Sequence, residues 1–218
     1  MNMQSVSSAI TSNDFQKESL SKQKLNIEEL RNQLRKFYLT KAPNTNINEL
    51  NELVTEFQVE KIKKKQIIIP AGEVSDYMYF ICKGMVRIYY NKEDKEITNW
   101  FIQENMLFTS TYAIATQLPN LYNYETIENT IVLKIKYERL ESFYNKYHSI
   151  ANLGRLLILK YYAQFMKKTY DILFLSAEER YSLFLEEHSD LVNRISLRYI
   201  ASYIGVSQET ISRIRAKH

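Results

Sequence analysis

The residues best suited to chemistry cluster near the end of the chain. Gln208, Glu209, Ser212, Arg213 and Arg215 stand three and four positions apart, which brings them along one side of a helix. Each type can meet a base edge or a phosphate. Arginine forks onto guanine, glutamine reads adenine, and a carboxylate accepts from the cytosine amino group. Gln208, Glu209, Ser212 and Arg213 are therefore the expected base readers. Ser207, with the free amides of its turn, and the cations Arg215 and Lys217 suit phosphate. From Asn193 to His218 there are five basic residues against Glu209 alone, so the whole net charge of +4 falls in this segment. A basic end of this kind implies an anionic partner, here double-stranded DNA. A surface helix with solvated charges is the plainer alternative, and the elements around the segment decide between them.

Those elements fit together. Ser196 is placed to cap a short helix whose Leu197, Ile200, Ala201 and Ile204 share one face. Gly205 breaks it by entering the left-handed region, Val206 plugs the turn, and Ser207 caps a second helix that buries Ile211 and Ile214. Ala201 is small where two helices would cross. This is the layout of a helix-turn-helix. Upstream, a long helix is expected from His148 to Leu173. Ile150, Leu153, Leu157, Tyr161 and Gln164 trace one stripe, widened by Leu156, Leu159 and Phe165. So broad an apolar surface reads either as core or as the seam of a homodimer, and the seam is the sharper expectation. Ser176 with Glu179 forms a capping box for the helix that follows.

The first half of the chain has a different texture. From Val59 to about Ile135, short runs rich in Ile, Val, Tyr, Phe and Thr predict strands: Gln66–Ile69, Tyr77–Ile81, Met85–Tyr90, Glu96–Phe101 and Thr130–Ile135. Pro70-Ala71-Gly72, Lys83-Gly84 and Asn91–Lys95 read as turns. Two helices precede them. Asn26 with Glu29 suggests a capping box, and Leu25 with Leu30 a hydrophobic staple. Asn46 with Glu49 opens the second. The fold class is thus α+β: an N-terminal antiparallel β-roll of jelly-roll type with flanking helices, a long helix, and an all-helical end. Residues 1–24 read as a weakly ordered lead-in. Residues 25–136 form the roll, 137–173 the helical connector and 174–218 the DNA-binding end.

Composition excludes several classes. With 218 residues, 45% of them hydrophobic and 25% charged, the chain is ordinary globular material. It has 4 glycines and 3 prolines, which disfavours collagen-like and Gly-rich nucleotide folds. No run of 18 apolar residues suggests a membrane span, and Met1–Ser12 lacks the pattern of a secretory leader. The cytoplasm is the expected compartment. Cys82 is the one cysteine, so neither a disulfide framework nor an iron–sulfur cluster is expected. His148, His188 and His218 all fall outside the strand region, which argues against a metal-dependent enzyme built in the roll. No nucleophile–base pair stands out, and an enzyme is not expected.

The segment Ser207-Gln-Glu-Thr-Ile-Ser-Arg213 resembles the recognition helix of Crp/Fnr-type bacterial transcription regulators, with Glu209 and Arg213 in the base-reading positions and the Glu-x-x-Ser-Arg form of the Fnr branch. Gly72-Glu73, Asp76 to Gly84 and Val86-Arg-Ile-Tyr89 resemble the family's cyclic-nucleotide-binding roll. Lys95 to Phe101 resembles the next strand in short members from Bacteroidetes-type bacteria. The long helix falls where the family places its dimerisation helix. The resemblance spans roughly residues 27–218. It implies a homodimeric regulator on a near-palindromic DNA site, with RNA polymerase and an unidentified small-molecule effector as further partners. The alternative is an effector-binding or protein-interaction roll with weak or vestigial DNA binding.

The chain departs from the family where cyclic AMP would bind. Residues 103–124 occupy the phosphate-cassette position, yet no glycine occurs between Gly84 and Gly154, and no arginine between Arg87 and Arg139. A cyclic phosphate would lack its bidentate partner, so cyclic AMP is not an expected ligand. Haem is not expected either, for want of a roll histidine. Cys82 reads as packing. The family's β-wing would follow Arg215, where this sequence has three more residues, so no wing–phosphate contact is expected. The aromatic content of the roll leaves room for an apolar effector pocket.

Overall fold

The computed structural model describes residues 26–217. The lead-in assigned to residues 1–24 and the Leu25 half of the staple lie outside the described residues. Two helices come first, α1 (Ile27–Lys41) and α2 (Ile47–Thr55). Asn26 accepts from the amides of Glu28 and Glu29, and Asn46 from those of Asn48 and Glu49, so both caps form where expected.

Eight strands follow: β1 (Gln58–Ile62), β2 (Ile67–Ile69), β3 (Tyr77–Lys83), β4 (Val86–Lys92), β5 (Lys95–Ile102), β6 (Leu107–Phe108), β7 (Asn123–Thr126) and β8 (Thr130–Lys136). A short helix, α3 (Thr111–Thr116), sits between β6 and β7. The strands form two antiparallel sheets ordered β1-β8-β3-β6 and β2-β7-β4-β5, which is the predicted roll. The β4–β5 hairpin closes through Glu93 and Asp94, with Glu93 at φ 53°. Gly84 has φ +97°, and a Cβ there would lie 2.6–2.8 Å from Thr130 and the Asn129 carbonyl, so only glycine fits this turn. Inside the roll, Tyr79, Phe108 and Tyr124 stack in a column, with centroids 4.9 and 5.9 Å apart.

The second half is helical: α4 (Tyr137–Lys146), α5 (His148–Phe174), α6 (Ala177–Glu187), α7 (Leu197–Ile204) and α8 (Gln208–Lys217). The long helix has almost the predicted bounds, and the Ser176–Glu179 capping box is formed in both directions. The face of α5 differs from expectation. Ile150, Leu153 and Leu157 are 0%, 2% and 7% exposed, packed with Leu34, Leu50, Phe80 and Leu140 in the subunit's own core. Tyr161 joins them and accepts a hydrogen bond from the Leu107 amide at 3.0 Å. The predicted dimer seam is therefore an internal contact, and of its five residues only Gln164 is exposed. Leu159, Tyr162, Met166 and Leu173, on the other side of the helix, are all about half exposed or more. Two apolar faces share one helix, and the stripe first visible in the sequence is the inner one.

Candidate nucleic-acid interface

The end of the chain folds as a helix-turn-helix. Ser196 stands at the start of α7 without a side-chain cap bond. Gly205 ends α7 at φ +74°, and the Val206 amide reaches back to the Ala201 carbonyl. Ser207 then accepts from the Thr210 amide at 3.2 Å and starts α8. Ala201, Ile204, Ile211 and Ile214 are all buried, with Tyr181, Phe184 and Leu191 completing a small core. The two isoleucines of α8 fix which edge of that helix faces outward.

That outward edge carries the predicted residues. Gln208, Glu209, Ser212, Arg213 and Arg215 are exposed, as is Ser207. Neither Arg213 nor Arg215 forms a salt bridge among the described residues, though Arg213 is near enough to Glu209 to favour its charge. Ser212 donates back to the Gln208 carbonyl at 3.1 Å, so its hydroxyl can still accept. The Glu209 carboxyl is held below its ordinary pKa by its own backbone amide, the Ser207 hydroxyl and Arg213. It is thus an ionised acceptor at neutral pH. Lys217 is the last residue of α8.

Not all of the basic end is free. Arg194 makes a double fork, to Glu104 at 2.9 and 3.0 Å and to Glu128 at 2.7 and 2.9 Å. Arg198 approaches Glu96 at 3.5 Å while remaining largely exposed. Counting charges along the sequence therefore overstates what is available to an anion, because Arg194 is neutralised by the roll.

The inner edge of the helix-turn-helix docks on β5. The Thr98 amide donates to Ser202 Oγ at 2.8 Å, and Ser202 donates to the Glu96 carbonyl at 3.1 Å. Arg87 anchors the contact. Its side chain is 1% exposed and pairs with Glu96 at 2.6 Å and Glu125 at 3.2 Å. Its guanidinium lies between the rings of Tyr89 and Tyr199, 4.0 and 3.9 Å from their centroids. Lys168 of α5 fills the gap nearby, 3.8 Å from the Tyr203 centroid and bonded to the Asn99 carbonyl. Burial pushes its pKa down to about 7, against the pull of those groups on the charged form. Sequence reasoning missed Arg87 and Lys168 as docking residues. An arginine between the apolar residues Val86 and Ile88 was the available signal for Arg87, but its partners come from two other strands and a helix.

The cassette position offers a cyclic nucleotide no cation. Residues 96–133, which include β6, α3 and β7, contain neither lysine nor arginine. Arg87 is occupied by Glu96 and Glu125, and the stacked aromatics of the interior offer no cation. These residues do not fit a cyclic phosphate. Cys82 is buried, and burial raises its thiol to about 12, which suits packing rather than reactivity.

Comparison with known proteins meets the same architecture. Residues 59–147 match the cyclic nucleotide-binding domain family. No curated protein matches the chain. Among solved structures, FixK2 from Bradyrhizobium japonicum is 22% identical with a TM-score of 0.64, covering 74% of this chain and 83% of its own. The c-di-GMP responsive global regulator CLP of Xanthomonas campestris is 15% identical, also at 0.64, covering 79% and 91%. A protein from Eubacterium rectale assigned to the crp/fnr family of transcriptional regulators is 20% identical at 0.63, covering 83% and 86%. With its cyclic-nucleotide-binding type of roll, long helix and helix-turn-helix, the chain has the fold of the Crp/Fnr regulators, as its motifs indicated.

Proposed function

We propose that this protein is a sequence-specific DNA-binding transcription regulator that acts as a homodimer in the cytoplasm. One observation carries the reading: α8 buries Ile211 and Ile214 and turns Gln208, Glu209, Ser212 and Arg213, all exposed, to the outside. Two such helices would enter successive major grooves about one helical turn apart. Glu209 and Arg213 would specify bases, with Gln208 and Ser212 assisting. Ser207, Arg215 and Lys217 would position the helix on phosphates. The dimer seam is reassigned to the outer stripe of α5, at Leu159, Tyr162, Met166 and Leu173, whose spacing of three, four and seven residues suits paired helices. The FixK2, CLP and Eubacterium rectale folds support this arrangement.

The function is binding rather than catalysis, and it needs neither haem, an iron–sulfur cluster nor cyclic AMP. Among the described residues no helix is long and apolar enough to cross a membrane. RNA polymerase is the partner through which such a regulator would act. The test is to select bound fragments from genomic DNA and titrate the best site by fluorescence anisotropy. Arg213→Ala should weaken that site by roughly 1–3 kcal/mol and relax one base position. Unchanged affinity for the selected site in that variant would overturn the assignment of α8.

A further inference from the structure

A cavity of about 660 Å³ lies between the mouth of the roll and helices α1, α4 and α5. That volume is typical of small-molecule sites. Most of its wall is apolar, with Phe108, Leu140 and Leu157 among the lining residues. Three of its tyrosines, Tyr38, Tyr144 and Tyr161, bring hydroxyls from α1, α4 and α5. Tyr38 is 3% exposed, and its hydroxyl has no hydrogen-bond partner among the described residues. Tyr144 is likewise unpartnered. Tyr161 accepts from the Leu107 amide and leaves its own proton uncommitted. Burial raises all three phenols above their ordinary pKa, and Tyr144 and Tyr161 add to the effect on Tyr38. Each is therefore a neutral donor.

The surroundings hold this arrangement open. Gly154 is the one glycine of α5, and a Cβ there would lie 2.9–3.0 Å from the Tyr144 ring and hydroxyl. A glycine inside a helix is less favourable than alanine, and here it gives the phenol room to lie against the helix. The wall carries a single charged residue, Arg155, which is exposed at the rim and bonded to Asn152 on its own helix. A cavity whose donors are neutral hydroxyls favours a guest that supplies an acceptor over one that supplies none.

We infer that this cavity binds a neutral, largely apolar small molecule whose carbonyl-type oxygen accepts hydrogen bonds from Tyr38, Tyr144 and Tyr161. The inference does not rest on DNA binding and is tested without DNA. Full-length protein is titrated calorimetrically with 2-acetonaphthone, with 2-ethylnaphthalene, which lacks the acceptor, with 2-naphthoate, which carries charge, and with cyclic AMP. The ketone should bind at least about tenfold more tightly than each of the others. The Tyr38→Phe/Tyr144→Phe variant keeps both rings. It should lose most of the ketone's advantage while binding 2-ethylnaphthalene as the parent does, which also shows that it is folded. Equal binding of ketone and hydrocarbon by the parent protein overturns the inference. So does tighter binding of naphthoate or cyclic AMP, or no detectable binding of any probe.

Discussion

The two halves of α5 follow the same helical geometry and serve opposite ends. In the first half, Ile150, Leu153 and Leu157 are buried against the roll and the N-terminal helices. In the second, Leu159, Met166 and Leu173 are 53%, 49% and 69% exposed, and Tyr162, Tyr170 and Phe174 lie open with them. Apolar side chains in the first half stabilise the subunit by leaving water on folding. Those in the second remain in water in the single subunit. Apolar content alone does not distinguish core from interface. What distinguishes them is whether the same chain has another element within reach: Tyr161 and Lys168 still meet the roll on the inner side, while the outer side faces no other element.

The largest effect should come from the first half. Leu153→Ala removes a fully packed side chain and should lower the unfolding free energy by about 2–5 kcal/mol in urea titration. A loss within the range of ordinary surface substitutions would mean that Leu153 is not core. The second half should respond in the opposite sense. Leu159→Lys/Met166→Lys should leave subunit stability within about 1 kcal/mol, yet convert a dimer to a monomer in sedimentation. A variant that unfolds, or stays dimeric, would erase the contrast between the halves. A pH-dependent effect concerns Lys168, which sits where the inner face meets β5. Its pKa when folded is about 7 and its ordinary value 10.5. Between those values the unfolded chain binds the extra proton, so this residue makes stability rise with pH across that window and depresses it below pH 7. Lys168→Met should therefore gain most on the parent near pH 6 and little near pH 10. An equal gain at both would show that the amine keeps its ordinary pKa when folded.

Local signals read well in the sequence. The Ser176–Glu179 box, the Gly205 turn and the bounds of α5 each depend on residues a few positions apart, and all three formed as expected. The outward set on α8 was readable too, because Ile211 and Ile214 are spaced to fix its inner edge. Face assignment on α5 failed because both of its sides are apolar, and only the position of the roll chooses between them. The partners of Arg194, 90 and 66 residues away, could not be seen for the same reason. Strands β6 and β7 and helix α3 are too short for periodicity to declare them, and they surround the cavity of the tyrosines.

Only Leu175 and Ser176 separate α5 from α6. Arg180 of α6 braces that elbow by donating to the Leu175 carbonyl within it, and it ties α6 to the end of α7 by donating to the Ile204 carbonyl. So short and braced a joint transmits torque. In the proposed dimer, a small twist of one α5 rod against another would be carried through that joint into the terminal body and strain its docking on β5.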